Sequence, residues 1–282
     1  MSRADVFVTA TDLSRMIAED RPVSVLDVRW RLDAPDGRQA YAQGHVPGAV
    51  YVSLDDELSD HSVPDRGRHP LPSGVALQAA ARRWGLREGV PTVVYDDWNR
   101  AGSARAWWVL RAAGIEDVRI LDGGLAAWAA AGGDLEAGEV SRPPGDVVVR
   151  CADLYRGALP TLTVDEVAEF DGLLLDARAP ERFRGDTEPV DPVAGHIPGA
   201  TNAPSTGVLD GDGVLLPTEE LVAFAERVGA DGDSAVGVYC GSGVTAAVTV
   251  AALMATGVPA RLFPGSWSQW SADPSRPVAT GH

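Results

Sequence analysis

One cysteine sits where thiol chemistry is easy to arrange. In Val238-Tyr239-Cys240-Gly241-Ser242-Gly243-Val244-Thr245-Ala246 an apolar run ends at the cysteine, and two glycines follow within three residues. An Ala- and Val-rich stretch over 245–255 then reads as a helix closed by Gly257. The cysteine therefore falls on a strand-to-helix turn. Glycines let backbone N–H groups turn inward there, and the helix start adds unsatisfied N–H groups and a positive dipole end. Both favour a thiolate, the nucleophilic form. The local pattern leaves one alternative open, a buried structural cysteine in an ordinary strand–helix turn.

Several other chemistries are excluded. A phosphatase loop of the C-x5-R type needs an arginine as its phosphate clamp, and the sixth residue after Cys240 is Ala246. His45, His61, His69, His196 and His282 show no metal-ligand spacing with either cysteine, so no metal is expected. The chain holds no lysine, which removes Schiff-base and P-loop mechanisms. The second cysteine, Cys151, lies outside any helix-turn context and reads as an incidental thiol.

Composition frames these residues. At 282 residues, 45% hydrophobic and 23% charged, the chain suits two globular domains. No apolar run has signal-peptide or membrane-span character, so a cytoplasmic protein without a membrane partner is expected. A net charge of −16 argues against nucleic acid as a partner. Two cysteines make no disulfide framework.

The elements that must position Cys240 repeat once along the chain. Val25-Leu26-Asp27-Val28-Arg29 matches Leu174-Leu175-Asp176-Ala177-Arg178. Gly44-His45-Val46-Pro47-Gly48-Ala49 matches Gly195-His196-Ile197-Pro198-Gly199-Ala200. Val93-Val94-Tyr95-Asp96 matches Gly237-Val238-Tyr239-Cys240, and Leu121-Asp122-Gly123-Gly124 with Trp128 matches Phe263-Pro264-Gly265-Ser266 with Trp270. Four matches in one order mean two copies of one fold. The first copy predicts strands over 23–28, 92–95 and 118–121 and helices around Met16 and over 75–84 and 103–113. The second predicts helices over 164–170, 218–228 and 245–255 and strands over 173–176, 236–239 and 260–263. This alternation gives an α/β fold, each copy a mostly parallel sheet with helices on both faces. We place the first domain at 1–138, a linker that packs on the surface at 139–160, and the second domain at 161–282.

The repeat also acts as a control. His45, His196, Asp27 and Asp176 recur in both copies and so read as structural. Asp96 stands where Cys240 stands, which makes the first copy non-catalytic. Arg178, Arg182 and Arg184 follow a second-copy strand, on the side where open α/β sheets bind ligands. They could hold an anionic substrate or be solvated surface charges.

The two Gly-His-x-Pro-Gly-Ala motifs together with Cys240-Gly241-Ser242-Gly243-Val244-Thr245 resemble the two-domain rhodanese family of sulfurtransferases. Ser103-Ala104-Arg105-Ala106-Trp107-Trp108 supports the same family. Within it, the cysteine loop is similar to that of members using 3-mercaptopyruvate; thiosulfate-using members carry two basic residues where this chain has Gly241 and Ser242. The resemblance implies that Cys240 carries sulfur as a persulfide, cradled by loop amides of Gly241, Ser242, Gly243, Val244 and Thr245. It implies a relay of Ser242, His69 and Asp55, the last two from the first domain, and a substrate-carboxylate contact from Arg182. A second arginine that mammalian members carry before the second Gly-His-x-Pro-Gly is absent from 188–194. The implied reaction moves sulfur from a small anionic donor to a thiol acceptor, such as a thioredoxin-like protein, or to cyanide, with ping-pong kinetics and no cofactor. The alternatives are a thiosulfate sulfurtransferase using the same cysteine, a persulfide carrier serving a protein partner, and a non-catalytic binding module.

Overall fold

Short apolar strands without polar alternation must be covered on both faces, which requires helices above and below each sheet. The computed structural model, which describes residues 1–232 and 234–281, has this arrangement twice. The first sheet holds β1 (Phe7–Val8), β2 (Ser24–Asp27), β3 (Val50–Tyr51), β4 (Thr92–Tyr95) and β5 (Val118–Leu121), in the order β1-β5-β4-β2-β3. The second holds β6 (Leu173–Asp176), β7 (Thr201–Asn202), β8 (Val236–Tyr239) and β9 (Ala260–Leu262), in the order β7-β6-β8-β9. Every pairing is parallel.

Register carries the repeat into space. Asp27 pairs with Tyr95 across β2 and β4, and Asp176 pairs with Tyr239 across β6 and β8. Asp96 and Cys240 therefore leave equivalent strands at equivalent points. The two-residue strands β1, β3 and β7 carry too little pattern to be read from sequence. The second copy's counterpart of β1 is reduced to a single bridge, Thr161 to Leu262.

Two helices join the copies. Eleven of the twelve residues of Ala101–Ala112 are buried, and nine of the ten of Ala246–Ala255. A helix apolar on all sides belongs inside a protein, and these two pack against each other between the sheets. One continuous apolar core runs from Val6 and Val94 through both helices to Val238 and Leu262. Smaller clusters lie on the outer side of each sheet, around Val93 and Leu121 in one and Leu174 and Trp267 in the other.

The connecting stretch does more than coat the surface. Val147, Leu154 and Leu159 are buried in the shared core. Its backbone is clasped to the first copy, with Gly145 N–H donating to Arg82 O and Arg150 N–H to Ala113 O. The apolar residues spaced along a Pro- and Gly-rich segment give no periodic signal, which is why sequence reading leaves it on the surface. Cys151, half-buried, lies along this stretch. Among the described residues no helix is long and apolar enough to cross a membrane.

Candidate active site

Strand β8 delivers Cys240 to the floor of the crevice between the copies. The thiol is 1% exposed. Its residue is fixed by backbone contacts: Cys240 N–H donates to Ser266 Oγ at 3.1 Å, and Trp267 N–H donates to Cys240 O at 3.0 Å. Ser268 N–H donates to Gly241 O at 2.9 Å. Gly243 has φ +76°, and a Cβ there would strike the Pro264 carbonyl, so only glycine completes the turn. Among the described residues, none of the five amides over 241–245 donates to a protein acceptor. They form a concave set of N–H groups at the start of the Ala246–Ala255 helix, a geometry that suits an anion.

Ser242, His69 and Asp55 come together although they lie far apart in sequence. Asp55 sits on the short helix Leu54–Glu57, capped by the Ser53 hydroxyl, which accepts from Asp56 N–H. Its carboxylate lies 3.3 Å from His69 Nε2 and accepts from Trp30 Nε1 at 3.2 Å. An ionised carboxylate on that side places the imidazole proton on Nε2. Nδ1 then accepts from the Ser242 hydroxyl at 2.8 Å. Burial pulls the His69 imidazole below its usual range, against the opposing effect of Asp55, and so favours the neutral ring. The hydrogen bond from His69 in turn holds the Asp55 carboxyl low.

The arginines divide into distinct roles. Arg182, on the short helix Pro180–Arg184, lines the cavity of about 280 Å³ that opens over Cys240. Arg68, from the first copy, lines it too. A side chain on Gly241 would begin 3.0 Å from an Arg68 nitrogen and 3.5 Å from an Arg182 nitrogen. Two guanidinium groups thus stand close to where a basic residue at 241 would place one, and a Cβ there would press on the end of the Arg68 side chain. Arg178 also borders the cavity, but its guanidinium is spent on Asp176, Glu188 and the Gly195 carbonyl. Arg184 points elsewhere and pairs with Asp186 at the surface. Of the three arginines considered from sequence, only Arg182 is offered to the cavity.

A fourth cation lies beneath the loop. Arg105, from the Ala101–Ala112 helix, is fully buried and donates to the carbonyls of Leu58, His69 and Gly243. It thereby ties the His69 segment to the cysteine loop. Burial pushes its guanidinium down to about 10, so it stays charged at neutral pH. Among the described residues no carboxylate pairs with it.

The remaining candidates fall where their recurrence predicts. His45 Nδ1 meets the Tyr41 carbonyl at 2.9 Å and His196 Nδ1 meets the Phe183 carbonyl at 2.7 Å, each ring stacked on that neighbour. Asp27 and Asp176 are buried and paired with Arg29 and Arg178. No cluster of His, Cys, Asp and Glu suited to a metal occurs among the described residues, and His282 lies outside them.

Arg68 and Arg105 escape sequence reasoning because each makes a contact in the other copy, Arg68 with Asp191 and Arg105 with the Gly243 carbonyl. The only signal for either was position: Arg68 precedes His69, and Arg105 sits in the Ser103-to-Trp108 motif.

A family model described as the rhodanese-like domain matches the chain twice, over residues 9–131 and 162–273. SseB of Mycobacterium tuberculosis, provisionally named a thiosulfate sulfurtransferase, is 62% identical over 280 residues, covering 99% of both chains. The 3-mercaptopyruvate sulfurtransferase of Escherichia coli K12 is 36% identical over 286 residues, covering 96% of this chain and 97% of that one. The crystal structure of Escherichia coli SseA, a 3-mercaptopyruvate sulfurtransferase, superposes with a TM-score of 0.81 at 35% identity, covering 93% of this chain and 98% of that one. A cysteine above unshared amides, facing guanidinium groups across a crevice between two such domains, agrees with these likenesses, and the chain belongs to the rhodanese family as a two-domain sulfurtransferase of the 3-mercaptopyruvate/thiosulfate type.

Proposed function

We propose that Cys240 accepts sulfur from 3-mercaptopyruvate in preference to thiosulfate and passes it on from a persulfide. The observation that carries this reading is the hydrogen bond between Ser242 Oγ and His69 Nδ1, placed two residues from the cysteine. Mercaptopyruvate brings a thiol proton that must move, whereas thiosulfate brings none that a relay needs to handle. In the first half-reaction the Cys240 thiolate attacks the donor's sulfur. The carbon–sulfur bond breaks, its electron pair leaves on the pyruvate enolate, and the thiol proton is passed through Ser242 and His69 to the enolate carbon. The products are a Cys240 persulfide anion and pyruvate, so atoms and charge balance. The amides over 241–245 receive the persulfide charge, and Arg182 and Arg68 hold the donor carboxylate. In the second half-reaction an acceptor thiolate takes the outer sulfur and restores the Cys240 thiolate.

Thiosulfate is the second reading, favoured by the name of the 62% identical relative and by the two guanidinium groups over Gly241. Intact-mass measurement after incubation with each donor, followed by peptide mapping, separates the readings. One added sulfur on Cys240 from mercaptopyruvate, with higher kcat/KM than thiosulfate, is the expected result. Sulfur mapped elsewhere, or equal efficiency with thiosulfate, defeats the proposal.

A further inference from the structure

The two guanidinium groups that line the cavity beside Gly241 are already partly answered by acids of the chain itself. The turn after the Pro180–Arg184 helix brings Glu188 and Asp191 back against it. Glu188 accepts from Arg182 at 2.6 Å and from Arg178 at 3.3 Å. Asp191 bridges the copies: one carboxylate oxygen pairs with Arg68 and the other lies 3.3 Å from Arg182. Both acids are nearly buried, at 4% and 3% side-chain exposure. Three cations, Arg68, Arg178 and Arg182, thus face three anions, Asp176, Glu188 and Asp191. The binding wall is electrically balanced before any donor enters.

The nitrogens are shared out in a way that fits this balance. Arg68 pairs with Asp191 through Nη1 and turns Nη2 toward Gly241. Arg182 gives Nε and Nη2 to the acids and turns Nη1 toward Gly241. Each arginine therefore offers one nitrogen to the cavity, enough for the two oxygens of one carboxylate. From these contacts we infer that Asp191 sets the charge of the donor this site accepts, favouring a monoanion over a dianion. The inference rests on the sulfurtransferase reading above and adds a specificity residue to it.

The two acids are not equivalent. For Glu188, burial opposes ionisation, but Arg182 and the N–H groups of Asp191 and Val190 outweigh it and hold the carboxyl low. For Asp191, burial dominates over Arg68 and pushes the carboxyl up. Glu188 anchors Arg182, while Asp191 is the weaker partner of both arginines. Removing the Asp191 charge leaves Arg68 without a carboxylate and the wall with one net positive charge. A nearby unit charge in a half-buried site acts once on a monoanion and twice on a dianion, so the difference between them shifts by about ten-fold.

The test compares Asp191→Asn, Asp191→Glu and Arg68→Gln with the unmodified chain. Two readouts are taken: kcat/KM with thiosulfate and with mercaptopyruvate, and protection of Cys240 from iodoacetamide by sulfate, a dianion, and by acetate, a monoanion. Asp191→Asn is expected to raise the thiosulfate-to-mercaptopyruvate ratio by about ten-fold and to strengthen sulfate protection more than acetate protection. Asp191→Glu, which keeps the charge, is expected to leave the ratio near its starting value. Arg68→Gln is expected to weaken sulfate protection more than acetate protection, and it decides the matter if Asp191→Asn does not fold. Equal changes for sulfate and acetate overturn the inference. The protection experiment needs no turnover, so a chain that formed no persulfide from mercaptopyruvate would refute the proposed function while still deciding the role of Asp191.

Discussion

The loop after β4 and the loop after β8 are the same turn put to opposite uses. In the first, the Asp96 carboxylate folds back into its own turn. It accepts from the N–H groups of Trp98 at 3.0 Å, Arg100 at 3.2 Å and Ser103 at 3.0 Å, and from the Ser103 hydroxyl at 2.7 Å. Arg100 adds an ion pair at 3.1 Å. In the second, Cys240 has no carboxylate to spend, and the amides over 241–245 remain unshared. An acidic side chain closes the cradle from within; a thiol leaves it open to an incoming anion. The turns differ at their first residue and in the glycines that follow only Cys240, and together these leave the second cradle open.

The largest effect that tests this contrast comes from exchanging each residue for a neutral one. Cys240→Ser is expected to remove sulfur transfer almost completely, by about a thousand-fold or more, since a hydroxyl at neutral pH is a far weaker nucleophile than a thiolate. Asp96→Ala is expected to leave kcat of the folded protein close to normal. It leaves several buried donors unpaired and strands Arg100, which costs about 3 kcal/mol or more. Thermal unfolding and steady-state kinetics on both variants check the pair; lost activity without lost stability in Asp96→Ala breaks the comparison.

The relay comes next. His69→Ala and Ser242→Ala are expected to lower kcat with mercaptopyruvate by about a hundred-fold, the usual scale for a positioned proton-transfer group. Asp55→Asn should do less, because it orients the imidazole rather than touching the donor. A kinetic profile like that of the unmodified chain contradicts the relay.

The pH dependence follows from the same ring. Burial lowers the His69 pKa in the folded state below its unfolded value of about 6.5. As pH falls from there, the unfolded chain takes up a proton before the folded one does. The neutral ring's contribution to stability is therefore present at neutral pH and declines as pH drops below about 6.5. The acid limb of kcat is expected below the ordinary histidine range, and His69→Gln should flatten it in a pH–rate profile.

The smallest and sharpest change is Cys240→Asp. It is expected to be inactive yet to unfold at a higher temperature than Cys240→Ser, because the new carboxylate can take the free amides as Asp96 does. A carboxylate accepting backbone N–H groups is worth about 1.5–3 kcal/mol per good bond before desolvation is subtracted. Equal melting temperatures for the two variants would mean that the second cradle is not shaped for an oxyanion.

Sequence reading reached those parts of the site that announce themselves locally or by repetition. The four-residue strands β4, β5, β6 and β8 fall at the boundaries their apolar runs predict. Cys240 shows itself through its glycines, and the contrast with Asp96 through the repeat. His69 and Asp55 were reached only through family resemblance, and the structure sets them within reach of Ser242. The cations were hardest. Arg68 meets Asp191 across 123 residues and Arg105 meets Gly243 across 138. No periodicity links such pairs, since what joins them is the docking of one copy on the other. Asp191 was noticed only as part of a stretch lacking arginine, although Arg68 supplies a guanidinium from the opposite wall.

The two buried helices at the centre also determine how the molecule can come apart and how it can move. Domains joined by a thin, polar interface rock on their linker and melt separately. Here Ala101–Ala112 and Ala246–Ala255 are core to both copies at once, and the connecting stretch buries three more side chains in the same core. Opening the crevice like a jaw would disturb the apolar core that holds Trp107, Trp108 and Val248, so the cavity bordered by Trp30 and Trp98 is expected to keep its shape as the chain turns over. Calorimetry should show one cooperative transition for the whole chain, and the second copy expressed alone would expose its central helix to water.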